Sequence, residues 1–176
     1  MEPPAVQIVA TVLAAVAVAG AVALVVVRAV APSRLAPLRP FALWAAAAVA
    51  AAATVGSLYF SEVAHYLPCR LCWFQRIAMY PLAVLLPIAA RRRDPGIWRY
   101  ALAFPLIGAA VSVYHYLIER GVLTEGSACE IANPCNLIWF ERLGFVTLPL
   151  MALSGFVAIA TVLLVLVRPT DREVSA

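Results

Sequence analysis

Long apolar runs separated by short polar connections are the dominant pattern along this chain. A run of about 20 apolar residues is long enough to cross the ~30 Å hydrocarbon layer of a membrane as a helix. Helix is the expected local structure, because an isolated strand leaves its backbone groups unpaired in lipid. The pattern predicts five such helices, at Ala5–Val27, Phe41–Phe60, Trp73–Ala90, Trp98–Ile118 and Leu143–Val167.

The composition agrees with this prediction and excludes most other classes of protein. The 176 residues are 65% hydrophobic and 12% charged, and the mean hydropathy is +0.95. Soluble domains are nearer ~45–50% apolar and ~25% charged, so a soluble enzyme, a disordered tail and a coiled coil are excluded. The net charge of +4 comes from arginines between the apolar runs, so no basic patch for nucleic acid is expected. The expected fold class is an all-α integral membrane protein.

The distribution of arginine predicts the orientation of the spans. Nine arginines fall in the first and third connections and after the last span: Arg28, Arg34, Arg39, Arg91, Arg92, Arg93, Arg99, Arg168 and Arg172. The other side holds four: Arg70, Arg76, Arg120 and Arg142. Since positive residues are retained in the cytoplasm, we expect an N-out/C-in topology, with residues 169–176 as a cytoplasmic tail. Both cysteine-bearing connections then lie on the extracytoplasmic side.

The first apolar run is expected to remain as a membrane helix. A cleaved signal peptide carries positive charge before its apolar stretch. Residues Met1–Gln7 carry none, and Arg28 comes after the run. The run is also long for the apolar region of a signal peptide, which spans ~7–15 residues.

A C-x-x-C motif, Cys69 and Cys72, opens the third predicted span at its outer end. Residues three apart on a helix share a face, so the two sulfurs can meet. The positive helix N-terminus, together with Arg70 and Arg76, favours thiolate over thiol. A stabilised thiolate stabilises the reduced form and makes the disulfide oxidising. The motif therefore predicts an electron-accepting cysteine pair.

A second cysteine pair, Cys129 and Cys135, lies in the other outer connection, with an Asn133-Pro134 turn signal between them. Closing so short a loop is feasible and adds little stability to a membrane-buried bundle. Two alternatives stay open for the four cysteines. One is a pair of structural disulfides, and the other is a zinc site of four thiolates, which an oxidising compartment disfavours.

The sequence resembles the DsbB family of membrane disulfide-forming proteins, and within it the short-looped BdbC-like branch. The resemblance is carried by Pro68-Cys69-Arg70-Leu71-Cys72-Trp73-Phe74-Gln75-Arg76, Cys129…Pro134-Cys135, Tyr114-His115-Tyr116, Trp139 and Gly144-Phe145-Val146-Thr147-Leu148-Pro149. It extends from about Phe41 to Val167. The family implies a four-helix bundle core, here residues 41–168, to which residues 1–40 add an extra N-terminal transmembrane helix and a cytoplasmic turn.

The resemblance also implies a function in the bacterial cytoplasmic membrane. The protein would pass electrons from an extracytoplasmic thioredoxin-like oxidase, similar to DsbA or BdbD, to the membrane quinone pool, with ubiquinone or menaquinone as cofactor. The thiolate of the partner would attack Cys129, and Cys135 would then exchange with Cys69. Cys72 would be released as the thiolate beside the quinone. Lipid is the other expected partner.

Three further residues are expected near the quinone, and no metal ion is expected. Arg76 matches the family's arginine, and a guanidinium near a quinone carbonyl can stabilise the negative charge that develops on reduction. His115 could hydrogen-bond a quinone carbonyl or relay protons, or it could be an interfacial residue between two tyrosines. Trp73 could wall the pocket or only anchor the helix at the interface.

Two other functions stay open at this point. The first is a structural or assembly membrane protein held by two inert disulfides, which would resist mild reduction, whereas redox-active pairs exchange readily. The second is an enzyme similar to vitamin K epoxide reductase, which also pairs a membrane C-x-x-C with outer cysteines. Here the C-x-x-C opens a span early in the core and is followed by Arg76, which favours the DsbB-like interpretation.

Overall fold

The computed structural model describes residues 4–126, 129 and 133–168. Within these residues there is no β-strand, and an isolated antiparallel bridge pairs Arg142 with Val146. Five helical segments are long and apolar enough to cross a membrane: Ala5–Val30, Pro32–Val63, Arg70–Arg92, Pro95–Glu119 and Leu148–Val167. The prediction of an all-α membrane fold with five spans is therefore confirmed.

The spans are built from α-helices with short 3-10 and π-helical extensions. The α-helices are α1 (Pro4–Val30), α2 (Ala42–Leu58), α3 (Arg70–Arg92), α4 (Trp98–Ala101), α5 (Ala103–Glu119) and α6 (Leu148–Val162). A 3-10 helix, Pro32–Phe41, leads into α2. The segments Tyr59–Val63 and Leu163–Val167 continue α2 and α6 as π-helix.

Four of the helices enclose the main core. α2 packs against α3, α3 against α5, α5 against α6 and α6 back against α2. Large apolar side chains with no solvent-exposed surface fill the centre, including Leu82, Leu86, Phe156 and Ile159. α1 packs on the outside of this bundle, mainly along α6, and belongs to the least buried span. The expected four-helix core with one extra N-terminal helix is what the structure shows.

Small residues allow the helices of the core to approach closely, as is common in membranes. Ala46 and Ala50 of α2 have no exposed surface. In α5, a Cβ atom added to Gly108 would overlap the ring of Phe156 in α6. Because Phe156 is itself fully buried, its ring has little room to move away. Gly108 therefore sets the distance between α5 and α6.

The prediction that the fifth span begins at Leu143 is wrong, since α6 begins at Leu148. Residues 142–146 form a tight turn in which Val146 N donates to Arg142 O at 2.8 Å. Leu143 and Gly144 have left-handed φ values of 56° and 76° in this turn. The turn is made of mainly apolar residues, so the hydropathy pattern does not separate it from the helix that follows.

The second and fourth spans also differ from the predicted runs. The second span starts earlier than Phe41, because the proline-rich segment predicted as a turn is 3-10 helical, which suits the fixed φ of proline. The fourth span is interrupted at Leu102, between α4 and α5. Pro105 has no N–H to donate to the carbonyl of Ala101, and this missing bond explains the interruption.

The arginine-rich connections gather at one end of the bundle. The guanidinium of Arg168 lies 5.3 Å from the ring centroid of Trp98. Arg39, Arg93 and Val167 line one cavity of about 840 Å³ at this end. Because consecutive spans alternate in direction, Cys69 lies at the opposite end. The expected cytoplasmic tail, residues 169–176, lies outside the described residues.

The substitution Gly108→Ala tests the close approach of α5 and α6. We expect it to destabilise the protein by about 1–3 kcal/mol, the usual cost of overpacking a filled core, measured as a lower thermal unfolding temperature in detergent. The control is Gly20→Ala in α1, where an added Cβ meets no atom within 4 Å. It should leave the unfolding temperature unchanged or raise it slightly, since alanine is the better helix former. Equal unfolding temperatures for both variants would contradict this packing.

Candidate redox site

Cys69 is the N-cap residue of α3, where the chain changes from extended to helical structure. Its φ and ψ are −70° and 172°, and its sulfur accepts a hydrogen bond from the backbone N–H of Cys72 at 3.3 Å. The first N–H groups of a helix have no partner within the helix, so a cap that accepts from them is favourable. The sulfur of Cys69 therefore lies in the positive field of the helix N-terminus.

Cys69 and Cys72 are reduced, and their Sγ atoms lie 2.8 Å apart. The pKa of the Cys69 thiol is lowered from 9.0 to about 5. The main cause is the hydrogen bond that the Cys72 thiol donates to the Cys69 sulfur, and His115 and the Cys72 backbone N–H add to it against the opposing effect of burial. The reduced form of this pair is thus stabilised, as expected for an electron-accepting disulfide.

Cys129 and Cys135 form a disulfide. Cys135 is almost fully buried, with 1% of its surface exposed, whereas Cys129 is partly exposed. Cys69, also buried, lies with Cys135, Leu71 and Ile118 in one cluster, and Cys72 and Cys129 pack against it. The structure therefore brings both predicted cysteine pairs together at one end of the bundle.

His115 of α5 lies between the two cysteine pairs. Its Nε2 is 3.1 Å from the backbone carbonyl oxygen of Cys135 and 3.6 Å from Sγ of Cys69. A carbonyl oxygen can only accept, so Nε2 carries a hydrogen in this contact. Nδ1 is buried and has no hydrogen-bond partner among the described residues. The imidazole therefore faces sulfur on one side, and its second nitrogen stays available to accept a proton.

Two contacts hold the Cys135 loop against the start of α3. The side-chain amide of Asn133 donates to the backbone oxygen of Pro68 at 2.9 Å. Tyr66 stacks on Trp139, with ring centroids 4.9 Å apart, and also stacks on Phe60 at 5.6 Å. These contacts connect the two cysteine-bearing segments across more than sixty residues of sequence. They fix the position of one cysteine pair relative to the other.

Arg76 lies one helical turn inward from Cys72 and is buried, with 9% of its surface exposed. Its guanidinium donates to Oγ and to the backbone oxygen of Ser57, both at 3.0 Å. It also lies 5.1 Å from the ring centroid of Trp73. A charged side chain inside a membrane is costly unless it has partners. Ser57 and Trp73 supply them here and hold the cation in a fixed position.

An apolar cavity of about 700 Å³ opens beside these residues. Cys72, Gln75, Arg76, Tyr80 and Trp139 line its polar end, and most of its remaining wall is aliphatic. Pockets for small organic ligands have volumes of ~300–1,000 Å³ and are mostly apolar with a few polar groups. The cavity therefore has the size and chemistry to hold a lipid-soluble molecule with a polar head.

The three residues predicted to bind the quinone have different positions. Arg76 lines the cavity. Trp73 is exposed on the outside of α3 and contacts Arg76, and it is not among the residues that line the cavity. His115 does not line it either, since it contacts Cys69 and Cys135 on the other side of the cysteine pair.

The alternative of a zinc site with four thiolates is not formed in this structure, because the Cys129–Cys135 disulfide leaves only two thiols. One ligand atom each of Cys69, Cys72 and His115 do lie within 4.8 Å of one another. An imidazole that assists thiol chemistry must lie equally near the sulfur atoms, so this arrangement does not by itself indicate a metal site.

The sequence reasoning assigned no role in the site to four residues that the structure places there: Ser57, Tyr66, Gln75 and Asn133. Ser57 anchors Arg76. Gln75 donates from its side chain to Ser112 of α5 at 3.1 Å. Ser57 and Gln75 are polar residues within apolar spans, which is a usable signal of function. Tyr66 and Asn133 carry no such signal, since they lie in polar connections.

Comparison with known proteins assigns this sequence to a family. The sequence matches the family model described as "Disulfide bond formation protein DsbB" over residues 39–133. A probable disulfide formation protein C 1 of Bacillus anthracis is 42% identical over 130 residues, which are 73% of this chain and 91% of that protein. The disulfide bond formation protein C of Bacillus subtilis is 42% identical over 118 residues, 66% of this chain and 86% of that protein. No solved structure matches the chain significantly.

The range of the family match includes Cys69, Cys72 and Cys129, and Cys135 follows two residues after its end. The match covers more than half of the chain, and the relatives match over most of their own length. These findings confirm the predicted resemblance and favour a disulfide-forming oxidoreductase over the two other functions left open by the sequence. The chain belongs to the DsbB family of disulfide bond formation proteins.

Proposed function

We propose that this protein is a quinone-dependent oxidoreductase that reoxidises an extracytoplasmic thioredoxin-like disulfide donor. The observation that carries the proposal is the buried cluster that joins Cys69 to Cys135, with Cys72 opening on an apolar cavity. The arginine bias supports an extracytoplasmic position for the cysteine end, and the proposed membrane is the bacterial cytoplasmic membrane. Family membership supports the disulfide chemistry.

The first step of the proposed route uses the disulfide of the outer connection. A thiolate of the partner attacks Sγ of Cys129, forms a mixed disulfide and displaces Cys135 as a thiolate. The partial exposure of Cys129 and the burial of Cys135 favour this direction of attack. The second thiol of the partner then resolves the mixed disulfide, so the partner loses two electrons and two protons.

The second step passes these electrons inward. The Cys135 thiolate attacks Sγ of Cys69 when Cys69 and Cys72 are joined by a disulfide, and Cys72 leaves as a thiolate. Cys129 then attacks Sγ of Cys135 and displaces Cys69 as a thiolate. Cys129 and Cys135 are again a disulfide, and Cys69 and Cys72 are the dithiol present in this structure. His115 contacts Sγ of Cys69 and the backbone oxygen of Cys135, and it can donate a hydrogen bond to the Cys69 sulfur when that sulfur becomes negative.

The residues around the cavity fit a quinone. A bound quinone would accept two electrons and two protons and leave as a quinol. Arg76 would hold a ring carbonyl, because its charge is fixed by Ser57 at the polar end of the cavity. Trp73 contacts the guanidinium from the other side and would keep it in place. Cys72 lies on the cavity wall, so its thiol faces the same space as Arg76.

Serine substitutions of the cysteines test the route. We expect Cys69→Ser, Cys72→Ser, Cys129→Ser and Cys135→Ser each to abolish quinone reduction driven by a reduced thioredoxin-like partner. A partner that lacks its second cysteine cannot resolve the mixed disulfide, so it should accumulate joined to Cys129 of the wild-type protein, detected by non-reducing electrophoresis and mass spectrometry. Full turnover by Cys72→Ser would contradict the route. Resistance of both pairs to mild reduction in the wild type would support inert structural disulfides instead.

Removal of the positive charge beside the cavity is a second test. Arg76→Met should lower kcat/KM for quinone by about 10²-fold, the usual effect of losing a group that stabilises a developing negative charge. Exchange between the partner and Cys129 should be unaffected, since Arg76 lies one helical turn further along α3 than Cys72. Arg99→Met at the arginine-rich end is the matched control and should retain wild-type kinetics. Equal quinone kinetics for the two variants would remove Arg76 from the site.

The lowered pKa of Cys69 predicts a specific pH dependence. In a Cys129→Ser/Cys135→Ser background, the ultraviolet absorbance of the Cys69 thiolate should be present above about pH 5 and lost as the pH falls through that value. The substitution Cys72→Ala removes the main hydrogen-bond donor to the thiolate and should move this transition upward, towards 9.0. A transition near 9.0 in both proteins would show that Cys72 does not stabilise the thiolate.

A further inference from the structure

The apolar cavity extends beyond the four-helix core and reaches α1. Its wall includes residues of α1, α2, α3 and α6. α1 packs along α6 but makes little contact with α2. The space between α1 and α2 is therefore part of the cavity, and α1 forms one of its walls.

One face of α1 supplies its part of this wall. Val6, Ala10, Leu13 and Ala17 recur at spacings of three and four, which places them on one side of a helix. Leu13 is 54% exposed although it lines the cavity, so its side chain borders open space rather than packed protein. Val12 is similarly exposed, at 53%, but does not line the cavity.

The outer end of α1 is joined to the redox site. The side-chain amide of Gln7 donates to the hydroxyl of Tyr66 at 3.5 Å. Tyr66 stacks on Trp139, and both line the polar end of the cavity with Cys72 and Arg76. The apolar face of α1 thus lines the same cavity as Cys72 and Arg76, where the electrons would be transferred.

We infer that α1 forms the binding wall for the isoprenoid tail of the quinone and so determines which acceptors bind tightly. This inference rests on the proposed function. A quinone suits both ends of the cavity, because it joins a polar ring to a long apolar chain. The ring would meet Cys72 and Arg76, and the tail would lie between α1 and α2, where the lining is aliphatic.

Two matched variants test this assignment in the full-length protein. Leu13→Trp places an indole in the proposed tail space, and Val12→Trp places the same group on a face of α1 that does not line the cavity. Leu13→Trp should raise KM for menaquinone about tenfold or more, the effect of a misfit group in an apolar pocket. KM for menadione, which has the same ring system without a tail, should change little, and Val12→Trp should match the wild type for both quinones.

A second measurement does not depend on turnover or on the folding of a variant. Menaquinone with a photoreactive group at the end of its tail is irradiated with the wild-type protein, and the cross-linked peptide is identified by mass spectrometry. Label in α1 is the expected result, and prior addition of unlabelled menaquinone should reduce it. Label confined to other helices, or equal KM values for menaquinone in the two tryptophan variants, would overturn the inference. Failure of the wild type to reduce menaquinone, menadione and ubiquinone alike would instead overturn the proposed function.

Discussion

The position of Cys69 at the start of α3 is the constraint on which the redox site depends. As the cap residue, its sulfur accepts from the helix N-terminus and contacts Cys72 three residues later. The helical repeat then fixes the next functional group, because Arg76 lies one further turn along α3 and lines the cavity with Cys72. One helix thus orders the cap sulfur, the cavity sulfur and the cation along a single direction into the membrane.

The absence of water in the hydrocarbon layer imposes a second constraint, since each polar group there needs a protein partner. Arg76 is bonded to Ser57 of α2, and Gln75 is bonded to Ser112 of α5. Ser112 in turn donates to the backbone oxygen of Gly108. These bonds join α3 to both of its neighbours close to the cysteines. The same contacts that satisfy the polar groups also hold the site in register across three helices.

The sequence was sufficient for the number of spans, the grouping of the cysteine pairs at one end and the spacing of Arg76 one helical turn beyond Cys72. Hydropathy, alternation of direction and the helical repeat determine these features. It was insufficient for the turn at Leu143, whose apolar residues look like helix, and for the break before Pro105. It also failed for contacts between distant segments. The bond from Asn133 to Pro68 and the position of His115 between the sulfurs depend on how the loop folds back, which no local pattern encodes.

The differing exposure of the four cysteines gives the proposed route its direction. Cys129 is partly exposed in the outer connection, Cys135 and Cys69 are buried together, and Cys72 opens on the cavity. In the proposed route, a protein thiol from outside would therefore meet Cys129 first, and a lipid-soluble acceptor would meet Cys72. Electrons then have to cross the buried contact between Cys135 and Cys69. Because Cys69 and Cys135 are buried, bulky reactants cannot reach that contact. The proposed route would therefore keep the two substrates apart while the sulfurs exchange.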